Sequence, residues 1–468
     1  MRGYTLDSGK KMPLYEQLYR AVRDEILTGQ IKGGEKLPSK RALAENLNIS
    51  CITVENAYEQ LLAEGYIVSR PRSGYYARTL EVLPQAAAQT EPQRRAQVQT
   101  VPTVSAEHFP FSVWARLMRG VLMDDRQQLL QPAPNLGLYE LRCAIAGMLR
   151  RSRGIVADPD CIIIGAGAEY LYNILIQLLG RQHRYGLEDP GHQKIARVYE
   201  ANGVKICSVA LDEHGVSVQA LYASDATVMH LSPGHQYPTG IVMPIWRRQQ
   251  LMAWLKDSPE RWLVEDDYDS EFRFGGKPVA TMFSMDDVGR VIYMNTFSKT
   301  ITPALRISYM ILPRPLMERY QKNLGFYSCT VPGFEQLTLT RFLDEGFFEK
   351  HVNRMRRHYR MLRDDFLALL RASEHGDRIV VQGHEAGLHM LLRLDTTVSD
   401  EEAEERLRQI GVRAAALCRY EMNPTARGQQ GYLVVSYSEL ERKQLPKLVQ
   451  VLEQMITQPS NGAMAALP

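Results

Sequence analysis

In the stretch NTFSKTITPALR, Asn295–Arg306, a lysine at position 299 stands among hydroxyls, with Thr296 and Ser298 before it and Arg306 after it. Hydroxyls and a guanidinium at that spacing suit an anion, and a lysine amine suits an aldehyde. Two other stretches supply complementary groups. WLVEDDYDSEF ends an apolar run at Asp266, with the phenol of Tyr268 two positions on. IIIGAGAEYL ends another at Gly165 and then enters a helix, where free backbone N–H groups can hold a phosphate. An anion site, a carboxylate, a phenol and a lysine together are what pyridoxal 5'-phosphate demands. Its aldehyde needs an amine for a Schiff base, its ring nitrogen a carboxylate, and its phosphate donors.

The surrounding elements must bring these groups together. From about Phe109 onward, strand-like runs (CIIIGAG, YGLEDPG, VKICSVA, ATVMHLSPG, WLVEDDY, RVIYMNTFSK, LRISYMILP) alternate with helical patterns. That alternation predicts an α/β unit with a largely parallel sheet and helices on both faces, and ligands bind beyond the carboxyl ends of such strands.

The first 78 residues read differently. Leu14, Leu18, Val22 and Ile26 recur at helical spacing behind Pro13. Ser39 can cap a second helix carrying Leu43 and Leu47, and Ser50 a third running through Val54, Ala57, Tyr58 and Leu61. Two short helices joined by a tight turn have helix-turn-helix spacing, and YIVSRPRSGYYA reads as a hairpin wing. The third helix offers Ser50, Thr53 and Asn56 to base edges. Arg41 on the second helix, and Arg70 and Arg72 at the wing tip, can meet phosphates or the minor groove. This segment holds 12 Lys/Arg against 9 Asp/Glu, and the remaining residues hold 44 of each, so the whole net charge of +3 lies here. Residues 79–107, with five glutamines and no Phe, Trp or Tyr, read as a flexible linker that could stretch to about 95 Å. A cofactor-binding α/β unit is expected over 108–458, its large subdomain over about 136–325, and a loose tail over 459–468.

At 468 residues the chain predicts two or three domains. No run of about 18 apolar residues exists to span a membrane, and the first residues lack a secretory apolar stretch. Six scattered cysteines without a Cys-x-x-Cys pair argue against a disulfide framework or a metal site and fit the cytoplasm.

The motifs also resemble a known family. KLPSKRALAENLNIS and TVENAYEQLLAEGYI look like the winged helix-turn-helix of GntR-type regulators. LYELRCAIAGMLRRSRGI, EDPG, HQYPTG, EDDYDSEFR and TFSKTITPALRISY look like fold-type-I aminotransferases, in their usual order. The whole chain resembles the MocR branch of GntR-type transcription regulators. The resemblance implies that Lys299 forms the internal Schiff base and that Asp266 partners the pyridine nitrogen. Tyr268 and Tyr237 would lie near the ring's phenolic oxygen, and His192 would stack on the ring. Thr296, Ser298 and Arg306 would hold the phosphate with the backbone of Ala166 and Gly167. It implies a homodimer on promoter DNA.

The chain departs from the pattern in three places. YLVVSYSEL puts Val434 where transaminating relatives carry a carboxylate-binding arginine, with Arg419 or Arg427 as conceivable replacements. Pro132 stands near the position of a tyrosine that reaches the partner's cofactor, and Cys51 stands where GntR sequences have an arginine. A valine cannot donate, and losing a charge-assisted fork forfeits roughly 1.5–3 kcal/mol. The expectation is therefore a regulator that senses pyridoxal phosphate itself, as regulators of vitamin B6 biosynthesis do. The alternatives are a sensor of a γ-amino acid, taurine or D-alanine through a Schiff base, and a working aminotransferase with an appended DNA-binding domain.

Overall fold

The computed structural model describes residues 4, 6–7, 9, 12–79, 108–275, 279–422, 431–436 and 439–457. Nearly all of the expected linker, the expected tail and Arg427 lie outside these residues. The chain divides into two compact units, residues 1–99 and 100–468.

The first unit is the expected three helices and a wing. Helices α1 (Leu14–Leu27), α2 (Lys40–Leu47) and α3 (Cys51–Ala63) are followed by strands β1 (Ile67–Arg70) and β2 (Gly74–Ala77), paired antiparallel. Ser39 Oγ accepts from the Ala42 N–H and Ser50 Oγ from the Thr53 N–H, so both predicted caps form. Leu18, Val22, Leu43, Val54, Tyr58, Leu61 and Ile67 are buried together, so the helical spacing read from the sequence is the core of this unit.

In the second unit, strands β3 (Ile162–Gly165), β4 (Arg184–Asp189), β5 (Lys205–Asp212), β6 (Gly215–Val216), β7 (Val228–Leu231), β8 (Trp262–Asp266), β9 (Val291–Thr296) and β10 (Ser308–Ile311) form one sheet. Its order is β3-β10-β9-β8-β7-β4-β5-β6. All seven runs named from the sequence are strands. The sheet is mixed, because β10 runs antiparallel to both its neighbours. The reason is length. Only residues 297–307 separate β9 from β10, fewer than the dozen or more that a parallel crossover needs. The chain therefore turns straight back, and Lys299 sits in that tight return.

A smaller antiparallel sheet follows, made of β11 (Ile379–Gln382), β12 (His389–Leu394), β13 (Ala414–Ala416) and β14 (Tyr432–Ser436), in the order β11-β12-β14-β13. It packs with the helices Phe347–Ala372 and Leu445–Thr457 around a core of its own. No helix among the described residues is long and apolar enough to cross a membrane.

Candidate functional site: an anion cradle, a buried acid and a lysine

The carboxyl ends of β8 and β9 face one cavity of about 190 Å³. Its walls include Lys299, Asp266, Tyr268, Tyr237, Thr296, Ser298, Arg306 and His192, which the sequence placed in four separate motifs. The Lys299 residue is exposed, on the short helix Phe297–Thr300.

Asp266 closes β8 and is 8% exposed. Its Oδ2 accepts a hydrogen bond from Tyr172 Oη at 2.8 Å, and His230 Nε2 lies 3.5 Å away, buried and without a hydrogen-bond partner. Tyr199 Oη meets the other ring nitrogen of His230 at 2.7 Å. Burial, and then the Asp266 carboxylate, push the Tyr172 phenol well above its ordinary range, so it stays a donor. Tyr172 and His230 were missed in the sequence, since each looks like an ordinary core residue on its own element.

The hydroxyls cluster as expected. Thr296 Oγ1 accepts from the Ser298 N–H at 3.1 Å and from Ser308 Oγ at 2.8 Å. Ser298 Oγ is buried with no partner among the described residues, so a polar atom has been left for something else. Arg306 is held in the left-handed region, φ 52°, and donates from Nη2 to Glu169 Oε2 at 2.6 Å. The structure differs from expectation at Ala166 and Gly167. The Ala166 N–H is donated to Thr330 Oγ1 at 2.9 Å and the Gly167 N–H to the Gly165 carbonyl at 2.8 Å. Gly167, at φ 94°, turns the chain so that Ala168 and Glu169, at the start of the helix Ala168–Leu179, line the cavity instead. A Cβ on Gly167 would lie 2.3 Å from Arg306 Nη2, so only glycine leaves the cradle open.

Tyr268 Oη donates to the His235 carbonyl at 3.1 Å and Tyr237 Oη to Tyr420 Oη at 3.0 Å. Burial raises both phenols. His192 caps the helix Gln193–Ala201, its ring 5.2 Å from that of Tyr237; the residue is exposed, and desolvation of its ring at the cavity wall lowers its pKa, which favours a neutral imidazole that can stack. These donors fit pyridoxal phosphate: an orphan hydroxyl, an arginine and a glycine-opened cradle for the phosphate, and a buried carboxylate for the ring nitrogen.

A second chamber of about 210 Å³ opens on the other side of Lys299, Tyr237 and Tyr268. Val434, 5% exposed on β14, lines it, so the wall is apolar where an arginine would grip a carboxylate. Arg419 does not replace that arginine, because it pairs with Glu404 at 3.3 Å. Arg413, which sequence reasoning passed over, does line the chamber. It lies 3.9 Å from Glu439, too far for a hydrogen bond.

Behind the cavity, Glu188 accepts from the Ser232 N–H at 3.0 Å, and full burial pushes its pKa up to about 8. The folded chain thus keeps a proton that the unfolded chain releases near pH 4.5, so this residue's contribution to stability erodes as pH rises from 4.5 to about 8. Glu188→Gln is expected to flatten that decline, read from urea unfolding at pH 6 and pH 8. An unchanged slope would contradict it.

In the first unit, Arg41, Asn56, Arg70 and Arg72 are exposed, as DNA contacts require. Arg70 lies over the Tyr76 ring at 4.5 Å, which stiffens the wing. The Ser50 and Thr53 hydroxyls instead bond each other at 2.7 Å, so they hold the cap of α3 before they read anything. Cys51 is exposed at the position where an arginine was expected.

Fold and site together define a winged helix-turn-helix joined to an aminotransferase-like unit. Residues 14–76 match the model of the bacterial regulatory proteins of the gntR family, and residues 101–452 that of aminotransferase class I and II. The chain is 38% identical to the HTH-type transcriptional regulator YdeL of Bacillus subtilis, over 93% of this chain and 96% of that protein. It is 31% identical to the probable rhizopine catabolism regulatory protein MocR of Rhizobium meliloti, over 98% and 97%. It is 30% identical to the pyridoxine biosynthesis transcriptional regulator PdxR of Corynebacterium glutamicum, over 74% and 76%. Among solved structures, an archaeal alanine:glyoxylate aminotransferase superposes with a TM-score of 0.67 at 20% identity, covering 75% of this chain and 88% of that one. The chain belongs to the GntR-type helix-turn-helix transcriptional regulators that carry an aminotransferase-like domain.

Proposed function

We propose that this protein binds pyridoxal 5'-phosphate as a Schiff base at Lys299 and uses its occupancy to change its affinity for double-stranded promoter DNA. The observation that carries this reading is the joint presence, in one cavity, of the Lys299 side chain, the buried Asp266 carboxylate and the unpartnered Ser298 hydroxyl beside Arg306. A bound pyridoxal phosphate would supply an aldehyde that condenses with the lysine amine and releases water. Asp266 would hold the ring nitrogen protonated, with Tyr172 fixing the carboxylate. Ser298, Thr296 and Arg306 would hold the phosphate, Tyr268 and Tyr237 would face the phenolic oxygen, and His192 would cover the ring. Arg41, Asn56, Arg70 and Arg72 would meet the DNA. The uncovered Phe111, Met123 and Phe326 favour a homodimer. Six free cysteines and a DNA partner favour the cytoplasm.

The control of vitamin B6 biosynthesis genes is supported by the likeness to PdxR and by Val434, which leaves no arginine fork for an amino acid. A second reading, a sensor of an amino compound that reaches the same lysine, is favoured by the second chamber and its loosely paired Arg413.

Titration of the full chain with pyridoxal phosphate tests the main reading. The wild type is expected to gain visible absorption and, after borohydride, a fixed label on Lys299. Lys299→Ala is expected to gain neither. Affinity for the DNA upstream of its own gene should change with pyridoxal phosphate in the wild type alone. Identical DNA binding with and without pyridoxal phosphate in both proteins would refute the coupling.

A further inference from the structure

The cradle already contains an anion of its own. Glu169, the second residue of the helix Ala168–Leu179, accepts from Arg306 Nη2 at 2.6 Å through Oε2, while its Oε1 meets Lys194 Nζ. Both cations in the cavity wall that could neutralise a phosphate, besides Lys299, are thus committed to one carboxylate. The Ser298 hydroxyl beside them is not committed to anything among the described residues. The pair lies against the Gly167 backbone at a half-exposed edge of the cavity: a Cβ on Gly167 would lie 2.8 Å from Arg306 Cζ and 2.9 Å from Glu169 Oε2. Burial pushes the Glu169 carboxyl up, but Lys194, the residue's own backbone amide and Arg306 outweigh it and hold it at about 2. It is therefore charged throughout the physiological range.

A phosphate brought to Arg306 and Ser298 would face this carboxylate, and like charges sharing one set of donors repel. We propose that Glu169 is an internal counter-anion that occupies the cradle of the ligand-free protein and must yield Arg306 to an incoming phosphate. Holding a phosphorylated ligand is then an exchange of one anion for another. Such an exchange weakens binding for phosphate-bearing ligands only, and it moves Glu169 and Lys194 whenever the site fills. This rests on the reading of the cavity as a pyridoxal phosphate site.

The test compares the intact wild type with Glu169→Gln, whose amide keeps the shape and can still accept from Arg306. Three probes are used: pyridoxal phosphate and pyridoxal by equilibrium dialysis and visible absorption, and inorganic phosphate by thermal protection. Glu169→Gln is expected to bind pyridoxal phosphate about tenfold tighter, the size of one relieved charge contact at a partly exposed site. Its affinity for pyridoxal should change less than about twofold, because pyridoxal brings no phosphate charge. Inorganic phosphate should protect the variant more than the wild type. Equal or weaker binding of pyridoxal phosphate by the variant overturns the proposal, as does an equal gain for pyridoxal. If neither protein forms an imine with either aldehyde, the cofactor reading fails. The phosphate probe then decides alone, and equal protection of the two proteins overturns the counter-anion.

Discussion

Arg153→Met is expected to lower the stability of the aminotransferase-like unit by roughly 3–5 kcal/mol, the cost of leaving a buried charge without its partner. Arg153 ends the helix Tyr139–Arg153 and reaches Asp267 with both Nε, at 3.0 Å, and Nη2, at 2.8 Å. The side chains are 8% and 1% exposed, so neither charge has water to fall back on. Asp267 Oδ2 also accepts from Tyr293 Oη at 2.8 Å, while its Oδ1 has no hydrogen-bond partner among the described residues. After Arg153→Met, that carboxylate would keep the tyrosine hydrogen bond and the more distant charge of Arg248, with no direct ion-pair partner. Because Asp267 sits between Asp266 and Tyr268, its displacement would also disturb the cavity wall. Replacing both partners, Arg153→Met with Asp267→Leu, is expected to recover most of the loss, since no orphan charge remains. Urea unfolding of the three variants separates these outcomes. A single variant that costs less than about 1 kcal/mol would mean that the pair is solvated and works as a surface bridge.

That pair also marks where the sequence stops being legible. The cavity residues expected to meet a ligand were readable, because each lies at or just beyond a strand end within a short motif. Lys299, Asp266, Arg306 and Tyr268 all line one cavity. Their supports were not readable, because they come from far along the chain. Tyr172 lies 94 positions from Asp266, and Arg153 lies 114 from Asp267. The wing and the three helices were legible because their period and their serine caps are local. The reversed β10 was predicted only as a strand, since its direction follows from the short 297–307 return and periodicity carries no direction. Glu169 was hidden for another reason. Within GAGAEYL it reads as an acid in the first turn of a helix, where its charge suits the helix dipole. Only Arg306, on the return before β10, and Lys194, on the helix Gln193–Ala201, make it a competitor for the phosphate. Arg413 was passed over because GVRAAAL carries no motif, yet it stands in the chamber that Val434 lines.

Asp266→Asn is expected to move ligand affinity and stability in opposite directions, and that opposition distinguishes a ligand carboxylate from a structural one. In the ligand-free protein Asp266 is costly. It is buried, it accepts a single side-chain hydrogen bond from Tyr172, and the nearby His230 Nε2 makes no bond to it. An asparagine oxygen can still accept from Tyr172 without a charge to desolvate, so the ligand-free variant should unfold at equal or higher urea concentration than the wild type. Pyridoxal phosphate, by contrast, would lose the carboxylate that keeps its ring nitrogen protonated. A charge-assisted hydrogen bond is worth roughly 1.5–3 kcal/mol, so its affinity should fall about 10- to 150-fold. A carboxylate that only braced Tyr172 and His230 would give a different pair of results, lower stability with little change in affinity once the protein is folded. Equilibrium dialysis and urea unfolding on the same preparation read both quantities. A variant that is less stable and binds pyridoxal phosphate as the wild type does would remove Asp266 from the site and assign it to the core.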